Sequence, residues 1–144
     1  WQEKISVYRS MLIPDYPNFF LMLGPNTPIG NFSVIAMSEV QGDYLISIIN
    51  KWRARAFDEV EAKVDATNAF NAYVREGLKG TSWVGGCQSW YLDAQGNPIL
   101  WPYTWQRWVD EMQEPQMAHM NLQSFNQPAV KQMTAASATP ETLT

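Results

Sequence analysis

The feature that most constrains this chain is the apolar run Asn18-Phe19-Phe20-Leu21-Met22-Leu23, closed at once by Gly24-Pro25. A run that does not alternate with polar residues offers no face to water, so it predicts a strand buried on both sides, as inside a parallel sheet covered by helices. Before it, Met11-Leu12-Ile13-Pro14-Asp15-Tyr16-Pro17 carries two prolines and reads as a turn leading into that strand. After it, Gly24-Pro25-Asn26-Thr27-Pro28-Ile29-Gly30-Asn31-Phe32 mixes residues that fix the backbone with residues that free it, which predicts a loop. A helix follows from Ser33 to about Trp52. Val34, Met37, Val40 or Gln41, Tyr44, Ile48 and Trp52 recur at helical spacing, Glu39, Asp43, Asn50 and Lys51 take other faces, and Ser33 is the N-cap. Gly42 inside this helix costs about 1 kcal/mol relative to Ala, which suggests a close approach to neighbouring backbone.

Farther on, residues 58–65 alternate polar with small or apolar and predict a short half-exposed strand. A second helix is expected from about Ala66 to Leu78, with Phe70, Tyr73, Val74 and Leu78 as its apolar stripe and Gly80 as its stop. Five of the seven tryptophans fall between 83 and 108. Within that stretch Trp90-Tyr91-Leu92 reads as a strand, Asp93 to Asn97 as a turn, and Thr104 to Met112 as a short helix. From about Gln116 the composition shifts to Gln, Asn, Ala, Ser, Thr and Met with hardly any charge. Such a tail buries too little apolar surface to offset its ordering entropy and is expected to stay unfolded. The chain thus divides into 1–57, 58–115 and a tail, 116–144, with an α/β fold class.

With 144 residues, 46% of them apolar, the chain is long enough for one domain with a real core. Its net charge is −4 and its ten basic residues form no cluster, which leaves nothing to compete for a nucleic-acid backbone or an anionic membrane. The single cysteine, Cys87, excludes an internal disulfide and fits a reducing compartment. No apolar run nears the roughly 20 residues that span a bilayer, and no basic-then-apolar leader opens the sequence, so a cytoplasmic location is expected. The sequon Asn31-Phe32-Ser33 is then a chance match. The sequence opens on Trp1 and enters structured-looking segments at once, which suggests a cut edge.

In open α/β sheets ligands bind beyond the carboxyl ends of strands, where a helix N-terminus offers N–H groups and a positive dipole end. The strand, loop and Ser33 helix have that form, and Gly24 and Gly30 let backbone approach a flat ligand. Every α/β protein has such units, so the pattern alone does not single out a site. Neither G-x-G-x-x-G nor G-x-x-x-x-G-K-[ST] occurs, so phosphate cradling lies elsewhere. Ser89 is not on a G-x-S-x-G elbow and the lone histidine, His119, lies in the tail, which excludes a Ser-His-Asp hydrolase. Cys87 has no basic partner nearby and reads as a small buried thiol. Glu39 and Asp43, four apart on a helix, read as a solvated face. No cluster has metal-ligand spacing. The tryptophans fit a core, a pocket wall or a surface for a planar ligand equally well.

Tyr16-Pro17-Asn18-Phe19-Phe20-Leu21-Met22-Leu23-Gly24-Pro25-Asn26-Thr27, then Gly30-Asn31-Phe32-Ser33 and Glu39-Val40-Gln41-Gly42-Asp43-Tyr44, resembles the last FAD-domain segment of the flavin-containing and Baeyer–Villiger monooxygenases. Trp83-Val84-Gly85-Gly86-Cys87-Gln88-Ser89-Trp90-Tyr91-Leu92-Asp93, through Gly96 to Leu100-Trp101-Pro102, is similar to the C-terminal segment of the subgroup acting on ketones such as hydroxyacetophenone. The resemblance implies the C-terminal part of a Rossmann-like FAD-binding domain with a small α+β Trp-rich extension. It implies FAD and NADPH as cofactors, and insertion of one oxygen atom of O2 into a ketone or oxidation of a soft nitrogen or sulfur centre. Gly24, Pro25, Asn26, Thr27, Asn31, Ser33 and Val34 would lie beside the isoalloxazine ring, with N–H groups near Ser33 and Val34 facing its pyrimidine oxygen. Trp90 resembles a mobile-loop tryptophan that approaches NADPH, although the residues after Tyr91 depart from that loop's pattern. Both glycine fingerprints and the catalytic arginine would lie upstream of Trp1, so no catalytic residue is assigned. The expected partner is the missing N-terminal part of the same polypeptide, the chain alone is expected to be inactive, and exposed sheet edges would favour self-association. The competing reading is a non-catalytic binding or assembly module derived from such an enzyme.

Overall fold

A computed structural model describes residues 6–30, 32–85 and 89–125. Its longest element is α1, Val34–Arg53. Ser33 caps it, its hydroxyl accepting from the Ala36 N–H at 3.4 Å, and Lys51 and Arg53 in the last turn complement the negative end of the helix dipole. Met37, Gln41, Tyr44 and Ile48 form its buried face. Val34 and Trp52, expected on that stripe, are exposed instead. Strand β1, Glu59–Ala62, then turns Val60 and Ala62 inward, and α2, Val64–Leu78, buries Phe70, Val74 and Leu78. The strand is shorter than the 58–65 expected, because Val64 and Asp65 already belong to α2, which begins two residues before Ala66; Tyr73 of the expected stripe is only half-buried.

The core lies between the inner faces of α1 and α2 and is filled by Trp101 and Trp108, whose rings meet edge to face at 5.3 Å. Trp108 belongs to α3, Trp105–Glu111, which Thr104 caps by accepting from the Arg107 N–H at 3.3 Å. Tyr103 lies flat on α2 over Gly77, where any Cβ would strike its ring, and donates its hydroxyl to the Tyr73 carbonyl at 2.9 Å. The turn at Asp93 to Asn97 forms as expected, with Asp93 Oδ1 accepting from the N–H groups of Gln95 and Asn97. Its flanks pair only through the single bridge Leu92–Pro98, so Trp90-Tyr91-Leu92 is not a full strand.

Three expectations are corrected. The run from Asn18 to Leu23 is not a buried strand. Asn18 and Leu23 sit at φ 58° and 54°, and Phe19 and Met22 remain 49% and 44% exposed. The cause is Asn18, which fastens itself across β1. Its N–H donates to the Val60 carbonyl at 2.9 Å, its Oδ1 accepts from the Val60 N–H at 3.1 Å, and its Nδ2 donates to the Asp58 carbonyl at 3.2 Å. A backbone clamped at one residue and left-handed at both ends of the run cannot run straight. With that strand goes the sheet edge on which self-association was expected to rest.

The segment after Gln116 is also partly folded. Strand β2, Met120–Gln123, pairs antiparallel with β1, Glu59 opposite Gln123 and Ala62 opposite Met120. Lys63 adds a bond from its Nζ to the Ala118 carbonyl at 2.8 Å, and the Phe125 N–H donates to Asp58 Oδ2 at 2.8 Å. This pair is the one sheet among the described residues. Finally, a Cβ built on Gly42 would meet nothing within 4 Å, so no neighbouring backbone approaches it. Among the described residues no helix is long and apolar enough to cross a membrane.

Candidate functional site

The loop from Gly24 to Val34 divides into an inner and an outer half. In the inner half the chain folds upon itself. Leu23 donates its N–H to Oε1 of the fully buried Gln41 at 2.7 Å, which ties the loop entrance to α1. Gly24 lies so close to the Ser10 carbonyl oxygen that a Cβ would collide with it. Asn26, buried and left-handed at φ 70°, donates its N–H to the Ile99 carbonyl at 2.9 Å and its Nδ2 to Asn71 Oδ1 at 3.1 Å. Asn71 in turn donates to the carbonyls of Val7 and Thr67. Thr27 gives its hydroxyl to the Gly24 carbonyl and accepts from the Trp101 N–H at 3.2 Å. Pro25 is half-buried between them.

The outer half faces solvent. Gly30, at φ 100°, leaves room on which the indole of Trp83 closes. Phe32, Ser33 and Val34 are exposed, and the Phe32 ring leans on Trp105 at 5.4 Å. The first N–H groups of α1, those of Val34 and Ile35, have no partner among the described residues, as the geometry of a helix start requires. Trp83 meets Tyr91 edge-on at 5.9 Å, and Tyr91 meets Trp90 at 6.1 Å. Trp90 is the tip of this row, 87% exposed. Gly30, Ser33, Val34 and the aromatic row therefore share one side of the molecule. Asn31 and Cys87 lie outside the described residues.

Three polar groups escaped sequence reasoning. Gln41 was legible only as an apolar-face position, and Asn71 carries no motif. Arg9 is buried, its Nη2 3.1 Å from Glu111, with its guanidinium 5.5 Å and 5.9 Å from the ring centres of Tyr8 and Tyr44. Burial pushes the Tyr44 phenol above its usual range, against the pull of Arg9, and acts in the same direction on Tyr8. The Tyr8 hydroxyl is hydrogen-bonded to His119 Nδ1 at 2.8 Å. Arg9 Nε and Nη1 and the Tyr44 hydroxyl are buried without a hydrogen-bond partner among the described residues. Among the described residues no three His, Cys, Asp or Glu side chains group as a metal site would require. An open apolar groove of about 300 Å³ lies at the other end of α1, between Trp52, Ile49, Phe20 and Phe57.

No protein-family model matches the chain. Related proteins do. A monooxygenase of Mycobacterium tuberculosis is 42% identical over 103 residues, covering 72% of this chain and 21% of its own length. A Baeyer–Villiger monooxygenase of Streptomyces coelicolor is 32% identical over 145 residues, covering 99% of the chain and 27% of itself. An FAD-binding monooxygenase of Dothistroma septosporum is 31% identical over 128 residues, with 88% and 20% coverage. The fold matches a steroid monooxygenase solved with NADP bound, at a TM-score of 0.77 and 19% identity, over 86% of this chain and 24% of that one. The class of protein it resembles is thus that of the monooxygenases, and the chain spans only about a fifth to a quarter of the length of the relatives it matches. More narrowly, it is similar to one segment of FAD-binding and Baeyer–Villiger monooxygenases.

Proposed function

We propose that this chain is the part of an FAD- and NADPH-dependent monooxygenase that supplies one wall of the flavin site, in an enzyme that inserts an oxygen atom from O2 into a ketone or oxidises a soft nitrogen or sulfur centre. The observation that carries this reading is the exposed first turn of α1. Its unpartnered N–H groups and positive dipole end suit an electronegative ring oxygen that gains negative charge on reduction. The surroundings fit a flat aromatic ligand. Gly30 presents no side chain and Phe32 and Trp83 line its flank, while the sequence carries neither glycine fingerprint for phosphate. When bound, FAD supplies the electron-transfer chemistry with O2; the segment orients and polarises.

Within this reading Ser33 and Val34 touch the ring through their backbone. Gly24, Asn26 and Thr27 act as its support, because they are hydrogen-bonded inward, with Pro25 half-buried among them. Trp90 is assigned to the nicotinamide side, a reading supported by its exposure at the tip of the aromatic row. A ketone is favoured as substrate class by the Baeyer–Villiger relatives.

The test is a flavin titration of this chain beside expression of the longer polypeptide that contains it. The chain alone is expected to bind FAD weakly and to leave NADPH unoxidised. The longer protein is expected to carry FAD and to oxidise NADPH faster when a ketone is added, yielding the ester. Sub-micromolar FAD affinity of the chain alone would overturn the one-wall reading, and a longer protein without flavin would overturn the monooxygenase reading.

A further inference from the structure

The aromatic rings of this fold form a line that crosses it. Phe32, beside the first turn of α1, leans on Trp105 at 5.4 Å. Trp105 and Trp108 stand three positions apart on α3, so their side chains share a face. Trp108 meets the buried Trp101 at 5.3 Å, Trp101 stacks on Phe70 at 6.3 Å, and Phe70 meets Tyr8 edge to face at 5.9 Å. The line ends at the Tyr8 hydroxyl, which reaches Nδ1 of the exposed His119 at 2.8 Å. A core needs packed rings, but it does not need a base at the end of them. Tyr44 and Tyr73 keep their hydroxyls buried without a partner, and Tyr103 gives its own to a backbone carbonyl, which cannot take the proton. Among the described residues Tyr8 alone donates its hydroxyl to a side chain that can.

We propose that this line is an escape route for oxidising equivalents, leading from the flavin wall to the surface, with Tyr8 and His119 as its proton-coupled end. The proposal rests on the flavin-wall reading for where the oxidation enters. Oxygen chemistry that runs without substrate releases hydrogen peroxide, and one-electron oxidants of the hydroxyl-radical class follow from it. Such a radical takes one electron from Trp105 and a proton from solvent, and leaves as water. The electron missing from Trp105 is replaced from Trp108, then from Trp101, and last from Tyr8. Tyr8 cannot give its electron and keep its proton, because the Arg9 guanidinium lies 5.5 Å from its ring centre and a second buried positive charge there is costly. Its O–H bond therefore breaks as an N–H bond forms at His119 Nδ1, leaving a neutral tyrosyl radical and an imidazolium; the distance is within reach for direct proton transfer. Glu111, which lines the same cavity as Arg9 and His119, offsets the added charge. A thiol at the surface then gives up one electron and its proton and becomes a thiyl radical. That electron restores Tyr8 while the proton on Nδ1 returns to the phenolic oxygen.

The experiment oxidises the 144-residue chain without flavin, by pulse radiolysis with azide radicals, which take electrons from tryptophan. Indole and tyrosyl radicals are followed by absorbance and by electron paramagnetic resonance. The indole signal is expected to decay into a tyrosyl signal, and heavy water is expected to slow that growth, because the O–H proton moves with the electron. Tyr8→Phe should remove most of the tyrosyl signal and prolong the indole one. His119→Gln should slow the transfer, and Tyr103→Phe should leave it unchanged, with circular dichroism checking that each variant is folded. If Tyr8→Phe keeps the full tyrosyl yield, or if heavy water leaves the rate of the unsubstituted chain unchanged, the proposal is overturned. In the longer polypeptide, Tyr8→Phe is expected to lose activity sooner than its parent during NADPH turnover without ketone, and equal survival overturns the protective use. A longer protein without FAD sinks the monooxygenase reading, while the radiolysis still decides the route.

Discussion

The two halves of the loop between the Asn18 run and α1 are made of similar residues and have opposite tasks. From Gly24 to Thr27 every polar side chain is spent inside the molecule, on Asn71 or on the loop's own carbonyls. Gly30 and Phe32 to Val34 are exposed, and the first helix N–H groups have no partner among the described residues. The lesson is that a loop of this kind needs a rigid root to present a precise tip. The residues most tempting as ligand contacts, the Asn and Thr of the root, are the ones that hold the tip still.

Substitutions can break this contrast. Gly24→Ala should act hardest, because the added carbon runs into backbone at Ser10, which cannot swing aside. A loss of about 3 kcal/mol, the upper end of overpacking costs, is expected in urea unfolding. Asn71→Leu should cost about 2 kcal/mol, since it leaves the Asn26 amide and the Val7 carbonyl buried without partners. Ser33→Ala should cost about 1 kcal/mol or less, as exposed caps do. In the longer protein, however, the same change should disturb flavin affinity more than its small stability effect suggests. If Gly24→Ala is tolerated and Ser33→Ala unfolds the chain, the division into root and tip is wrong.

What sequence could and could not show follows from how far each interaction reaches. The cap at Ser33, the periods of α1 and α2 and the Asp93 turn are local and were legible. The inward turn of Asn26 was not, because its partner Asn71 is 45 residues away and nothing marks the pair. The Asn18 run was misread for a related reason. Apolar content states that a segment avoids water, but Asn18 is held by residues 40 and 42 positions on, and that clamp decides its path. Strand β2 was invisible because only Met120 of its four residues is buried, leaving no alternation to detect. At the site, the start of α1 was legible from the loop and cap. The closing of Trp83 over Gly30 was not, since two distant segments meet there.

The pairing of β1 with β2 carries a consequence for how the molecule assembles. Asn121 and Glu61 face each other although they lie 60 positions apart in the chain. Closing so long a loop is slow compared with winding a helix, and only a four-rung ladder rewards it. The helices can therefore form while the strand partner is still undelivered, and on a ribosome β1 must wait with one edge open until Met120 to Gln123 emerge. Strand β2 acts as a latch, and the order of synthesis makes it close after α1, β1 and α2.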